Sequence, residues 1–415
     1  MAKKILYITY HFPPSTKVGA IRAKGFAKYM PCFGWKVIVL SPLLLGTPDS
    51  EFHIIETHPS YQKMPRYIFN RNLHKKIKSI STFLPPIHQR IYSFFRGMID
   101  IPDSRIGWLQ FAAYAGEKII EEEKPDIIVS NFGPATCHII ASYLKKSHPE
   151  IFWLADFRDP WTQFRKNSIR TRFEKSLEDK TLKYADALSI VSEYLANALH
   201  KDHPDKKIYV IPNGFDPDEM IIENNPTTDK FIITHTGSLN MKFRRPSILF
   251  EALHNLIKIG KIEKQYIRVI FYGQNQSWVL RDAHSYGIDE IVSYGGVKNR
   301  QEILEIQKNS QILLLIWRSG KGEEGTLTGK IFEYLAAGRP IISIGEKPGE
   351  VERLLQKTKA GIHCRTVSET QNLLYHAYQE WLKNHCVKYH GIRQEIMNYS
   401  HIEMAKKFSK ALENG

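Results

Sequence analysis

Cysteine is scarce: Cys32, Cys137, Cys364 and Cys386 are the four in 415 residues, far apart and without a C-x-x-C pair. That spacing suggests neither a disulfide framework nor a zinc site and reads as reduced thiols of a cytoplasmic protein. No run approaches the about 18 apolar residues that a membrane-spanning helix needs. The opening MAKKILYITYHF has no small-residue cleavage site, and its apolar stretch ends at HFPP, so it reads as a first buried strand rather than a leader. No G-x-G-x-x-G follows this strand, which weakens a nicotinamide or flavin reading. One long segment lacks acid altogether. From Tyr61 to Ile99 there are eight Lys or Arg and no Asp or Glu, more than half of the chain's net charge of +15.

What is present is ordinary globular material, 42% hydrophobic, 12% aromatic and 24% charged. Single cores stop growing beyond roughly 250 to 300 residues, so this length predicts two domains. The first half alternates β-branched runs (KILYITY, KVIVLSP, DIIVSN, FWLADF, ALSIVS, KIYVIP) with longer helical stretches. A polar stretch, FDPDEMIIENNPTTD, follows Asn213-Gly214, and the alternation then resumes with KFIITHTGS, YIRVIFYG, EIVSYGG, ILLLIW, PIISIG and AGIHC. This pattern predicts α/β architecture with two Rossmann-like, doubly wound parallel sheets facing a central cleft. The expected domains are 1–217 and 228–395, with 396–415 as a terminal helix packing back on the first; the chain from about Gln371 reads as helical throughout. The basic segment 61–99 reads as two amphipathic helices, with Lys75, Lys76, Lys78, Phe94 and Phe95 poised for an anionic membrane surface. The bland alternative packs those apolar stripes on the first domain's own core.

In such folds ligands gather at the carboxyl ends of the strands, so the loops there carry the chemistry. After the first strand comes PPSTKVGAIR, where Gly19 lets backbone approach a ligand. GSLNMKFRRP brings Arg244 and Arg245, whose forked donors suit a diphosphate. GKGEEGTLTGKIFEYLAAGRP runs through Gly325, Thr326, Leu327 and Thr328 into a helix bearing Lys330 and Glu333. It falls short of a phosphate-binding P-loop, because only three residues separate Gly325 from Gly329 and Ile331 stands where Ser or Thr is required. WLADFRDPW clusters Asp156, Arg158 and Asp159 at the end of an apolar run, and His138 begins a helix after another strand. The plain readings are, respectively, a turn, a solvated basic loop, an i,i+3 ion pair, a helix cap and a structural histidine. Asp216-Pro-Asp218 resembles a metal-binding D-x-D but reads as a turn.

Taken in order, HFPP with Gly19 and an Arg beyond, FGWKVIVLSP, IPDSRIGW, ADFRDPW, VIPNGFD, GSL with RRP, and GTLTGKIFEYLAAGRPII resemble the retaining glycosyltransferases of family 4, also called group 1. The resemblance is collinear from about residue 3 to residue 361. It implies a UDP- or GDP-linked sugar donor held by the second domain, an acceptor received by the first, and no required metal. Glu333 then corresponds to the carboxylate that binds the donor ribose. Arg244 or Arg245, with Lys330, would neutralise the diphosphate; Gly19 would lie against it, and Gly325 to Thr328 would line the sugar. Two departures stand out: Gly325 occupies the place of a second Glu, and Val18 precedes Gly19 where the family has two glycines. With Asp159, His138, Asp156 and Arg158 as catalytic candidates, the expected activity is hexosyl or N-acetylhexosaminyl transfer. The acceptor would be a lipid-linked saccharide in cell-surface polysaccharide or lipopolysaccharide assembly, with the protein peripheral at the inner face of the membrane. The competing readings are an epimerase or phosphorylase of the same architecture, or a non-catalytic basic partner protein; no nucleic-acid module is recognisable.

Overall fold

The computed structural model describes residues 2–15, 17–44, 46, 50–58, 101–220, 227–239, 241, 244–274, 277–317 and 323–414. The basic segment with Lys75, Lys76, Lys78, Phe94 and Phe95 lies outside these residues. The chain divides into two compact units, Met1–Val191 with Leu195–Ile211 and Ala405–Gly415, and Ser192–Tyr194 with Pro212–Met404.

The first unit is built in chain order from β1 (Lys3–Ile8), α1 (Val18–Tyr29), β2 (Trp35–Pro42), β3 (His53–Thr57), α2 (Leu109–Glu123), β4 (Ile127–Asn131), α3 (Thr136–Ser147), β5 (Phe152–Phe157), α4 (Ile169–Leu182), β6 (Ala187–Ile190), α5 (Glu193–Asp202) and β7 (Lys207–Val210). Its seven strands are all parallel, in the order β3-β2-β1-β4-β5-β6-β7. Helices cover both faces of such a sheet, which is why central strands read as continuous apolar runs: Ile5, Leu6, Tyr7 and Ile8 are all buried. The order reverses between β1 and β4, so the loops after these two strands diverge and leave room for a ligand at their carboxyl ends.

The second unit repeats the plan with β8 (Phe231–Thr236), α6 (Ser247–Lys258), β9 (Ile267–Tyr272), α7 (Trp278–Ser285), β10 (Val292–Gly296), α8 (Arg300–Lys308), β11 (Ile312–Ile316), α9 (Gly329–Ala337), β12 (Ile341–Ile344), α10 (Glu350–Thr358), β13 (Gly361–Cys364), α11 (Val367–Asn384), α12 (Arg393–Met397) and the first residues of α13 (His401–Glu413), most of which belongs to the first unit. Its parallel order is β10-β9-β8-β11-β12-β13, with the reversal between β8 and β11. The two-residue period of β11 feeds both layers of the core. Ile312, Leu314 and Ile316 pack with Phe250 and Leu253 of α6 and Trp381 of α11. Leu313, Leu315 and Trp317 pack with Ile331 and Leu335 of α9 and Leu354 of α10.

The chain after Gln371 is not helical throughout. The helix α11 ends at His385, which adopts φ 53° while its N–H donates to Trp381 O at 2.7 Å. An irregular stretch then leads to α12 and α13. The last residues belong to the first unit, where Phe408 packs edge-on against Phe26 at 4.9 Å and lies under the Arg22 guanidinium at 5.1 Å. Trp35 Nε1 donates to Ser409 Oγ at 3.0 Å. Asp216 caps the short turn Pro217–Glu219, accepting from the Asp218 N–H at 3.1 Å, so this D-x-D is a turn.

Candidate active site

In the second unit the end of β8, the strand β11 and the helix α9, at the reversal of the sheet, are stitched together by buried hydrogen bonds. The Thr236 N–H donates to Tyr334 Oη at 2.9 Å, and Tyr334 Oη donates onward to Leu314 O at 3.2 Å. Gly237 turns the chain at φ 94°, a left-handed conformation that glycine tolerates. A Cβ there would lie 2.7 Å from Lys330 Cε and 2.9 Å from Nζ. The Lys330 side chain is therefore laid directly on the Gly237 backbone.

Lys330 Nζ lies 3.1 Å from Nε2 of His235, a fully buried residue at the end of β8. His235 Nδ1 is 2.9 Å from Leu314 O, a pure acceptor, so the imidazole carries its proton on Nδ1 and turns a lone pair on Nε2 toward the ammonium. Burial, then the charge of Lys330, hold the His235 pKa well below its ordinary value. Lys330 is half-buried as a residue, with its ammonium at the buried end; desolvation and the nearby Arg244 lower it to about 7, against the opposing pull of Glu333. Two cations thus share a small, partly dehydrated space. Lys330 forms no ion pair among the described residues.

The structure separates the two arginines that the sequence left together. Arg245 is exposed and forks onto Asp282 of α7, with Nε to Oδ2 at 2.9 Å and Nη2 to Oδ1 at 2.6 Å. Arg244 is half-buried, and its charge is felt by both Lys330 and His235. One turn beyond Lys330, Glu333 accepts from Arg300 Nη1 at 3.0 Å. Arg300 also holds Glu219, through Nε at 3.1 Å and through Nη2. No motif in the sequence marks Arg300 or His235. The first lies 33 residues from its partner, and the second reads as one more strand residue.

The approach to α9 is fixed through its backbone. Gly325 O accepts from Ser192 Oγ at 2.7 Å, and Leu327 O accepts from Asn213 Nδ2 at 3.4 Å. Thr328, the residue before α9, has a buried Oγ1 with no hydrogen-bond partner among the described residues; Thr326 is half-buried beside it. Next to this loop, Glu324 and Tyr194 line a cavity of about 370 Å³ against the start of α10.

In the first unit, two of the expected catalytic residues lie in the interior. Asp156 is completely buried and takes a fork from Arg22, with Nε to Oδ2 at 2.9 Å and Nη2 to Oδ1 at 2.8 Å. Ser189 Oγ adds a third bond at 2.8 Å, so both carboxylate oxygens are spent on the interior. His138 is also completely buried, with Nδ1 2.7 Å from Ser130 Oγ and its ring 4.5 Å from that of Phe157. Burial pushes its pKa down to about 3, so the imidazole is neutral at pH 7. Arg158 and Asp159 face outward instead. Arg158 Nε and Nη2 both lie 3.1 Å from Asp159 Oδ2, and the Asp159 side chain is 53% exposed. A Cβ at Gly19 would lie 2.7 Å from Arg158 Nη1, which brings the first glycine loop and Arg158 together.

Among the described residues no group of three His, Cys, Asp or Glu side chains is placed to hold a metal ion, and no helix is long and apolar enough to cross a membrane. A comparison with curated protein sequences finds no significant match. Among solved structures, sucrose-phosphate synthase from Thermosynechococcus elongatus is 12% identical, with 99% of this chain and 98% of that one covered at a TM-score of 0.65. Anabaena HepE in complex with UDP and glucose is 11% identical over 100% of both chains at 0.62. WaaG, a glycosyltransferase involved in lipopolysaccharide biosynthesis, is 12% identical over 99% and 100% at 0.59. The two parallel α/β sheets are thus those of the GT-B glycosyltransferase fold, and residues 20–219 match the family model described as Glycosyltransferase Family 4.

Proposed function

We propose that this protein transfers a hexosyl or N-acetylhexosaminyl group, with retention, from a UDP- or GDP-linked donor to a lipid-linked saccharide acceptor in polysaccharide or lipopolysaccharide assembly. The observation that carries the reading is the Lys330 ammonium laid on Gly237 beside Arg244, at the reversal of the second sheet. Departure of a nucleoside diphosphate builds negative charge, and two fixed cations in a partly dehydrated space stabilise it as it forms. In this reading the protein's own cations do that work and no metal is required. The amide end of α9 adds a partial positive charge on the same side of the chain. Glu333, oriented by Arg300, accepts the ribose hydroxyls, while Gly325, Thr326, Leu327 and Thr328 border the sugar. Arg158 and Asp159 serve the acceptor half. Asp159 Oδ1 has no partner among the described residues, which leaves it able to accept the proton of the attacking hydroxyl. HepE in complex with UDP and glucose supports the donor class, and WaaG supports the pathway. The acid-free sequence from Tyr61 to Ile99 supports a peripheral place at the inner face of the cell membrane.

The test is a panel of nucleotide sugars scored by thermal stabilisation. A ligand at 100 times its Kd adds ~2.7 kcal/mol to stability. A shift with one UDP- or GDP-sugar and its free nucleotide is expected; no shift with any nucleoside diphosphate overturns the reading.

A further inference from the structure

We propose that the strand-end loops of the first unit bind a phosphate or diphosphate carried by the acceptor, through Arg158, Arg105 and Lys17 gathered around His11. The proposal rests on the transferase reading for the name acceptor; the anion site itself stands on the geometry of this unit.

Arg158 follows β5, and its guanidinium is threaded between two backbone segments that follow β1 and β4. A Cβ at Gly19 would lie 2.7 Å from Nη1, and one at Gly133 would lie 3.1 Å from Nη2. Gly133 is also held at φ 94°, a left-handed conformation that favours glycine. Asp159 engages Nε and Nη2 through a single oxygen, and Nη1 has no acceptor among the described residues. The loop glycines thus place a forked donor where backbone amides also approach.

Two more cations face the same place. The Arg105 guanidinium lies 5.1 Å over the ring of Tyr10, whose ring is 5.2 Å from that of His11. His11 Cβ is 3.7 Å from the Cβ position of Gly19. Lys17 is exposed at the start of α1, two residues before that glycine. Neither Lys17 nor Arg105 forms an ion pair among the described residues. Besides Asp159, the acids nearest in the chain are Asp156, whose carboxylate is spent on Arg22 and Ser189, and Asp103, whose carboxylate is also committed. It accepts from the Arg105 N–H at 2.8 Å, the Thr136 N–H at 3.0 Å and Thr136 Oγ1 at 2.8 Å. Burial, then the charges of Arg158, Arg105 and Lys17, push His11 down to about 4, so all three cations are felt at one point and the imidazole there is neutral.

Three cations against one exposed carboxylate leave an excess that a single carboxylate ligand does not match. A phosphate ester or diphosphate, with two or more charges and several acceptor oxygens, does. The group can arrive on a lipid carrier or on a soluble phosphorylated saccharide.

The experiment uses the full-length protein with saturating UDP present, titrated by calorimetry with farnesyl diphosphate, inorganic pyrophosphate and farnesol. Binding of either diphosphate but not of farnesol is expected, weakened at least tenfold in Arg105→Gln and in Lys17→Gln while UDP affinity stays within twofold. Farnesyl diphosphate binding much more tightly than pyrophosphate identifies a lipid carrier; equal affinities identify a soluble phosphorylated acceptor. Diphosphate binding that vanishes when UDP is saturating, or that is unchanged in both variants, overturns the proposal. Absence of UDP binding in the wild type counts against the donor reading alone, because the first-unit titration can be run without it.

Discussion

Donor binding should draw a proton from solvent at pH 8. In the free protein Lys330 is lowered to about 7 by burial and by Arg244, so at pH 8 its amine is mostly neutral. A diphosphate placed beside it favours the charged form and raises its pKa. The complex then holds more protons than the free protein, so affinity falls as pH rises through the free value. With a free pKa near 7, uptake at pH 8 is about 0.9 proton, and each further pH unit weakens binding about tenfold, ~1.4 kcal/mol, until the pKa of the complex is reached. A nucleotide sugar is the right ligand, because its phosphodiester groups do not titrate here, whereas a terminal phosphate has a second pKa of about 6. Calorimetry at pH 8 in two buffers of different ionisation enthalpy reads the uptake directly. Lys330→Gln should abolish the buffer dependence along with much of the affinity, and Lys330→Arg should abolish the buffer dependence alone. Equal heats in both buffers for the wild type, with affinity constant from pH 6.5 to 8.5, would refute the reasoning.

Three other outcomes follow from the same contacts. Gly237→Ala forces a Cβ to 2.7 Å from Lys330 Cε at a positive φ, and should cost about 1 to 3 kcal/mol in urea unfolding and weaken UDP; wild-type values for both would mean that Lys330 does not rest there. Asp156→Asn leaves the buried Arg22 charge without its counter-ion, with an expected loss of about 3 to 5 kcal/mol that pairing with Arg22→Met largely restores; a loss below 1 kcal/mol would contradict a scaffold role. Arg244→Gln should lower UDP affinity by about 1.5 to 3 kcal/mol while Arg245→Gln changes it little, since Arg245 is spent on Asp282; the reverse order in calorimetry would reassign the two.

Much of this fold was legible because a doubly wound sheet writes itself as apolar runs separated by helices. The strand β3 was not, since EFHIIETH mixes charge with apolar residues on an edge strand that is only partly buried. Nor was the break after α11, where a left-handed His385 does the work usually done by glycine. In the site, Lys330 and Glu333 were readable from a three-residue spacing on one helix. The partners of these residues were not, because His235 and Arg300 come from other strands and helices and meet them only once the sheet order is set. Asp156 shows the reverse case: charge at a strand end looks like chemistry, yet Arg22, 134 residues earlier, pairs with it in the interior.

The most direct test of donor binding in the second unit is a comparison of inorganic pyrophosphate with the nucleotide sugar that stabilises the protein best, in the wild type, Lys330→Gln and Glu333→Gln. Lys330→Gln should weaken the nucleotide sugar, and the share of pyrophosphate binding that UDP displaces, at least tenfold, because both present a diphosphate, whereas Glu333→Gln should weaken only the nucleotide sugar, which alone carries a ribose. Wild-type affinity for the nucleotide sugar in both variants would contradict the assignment.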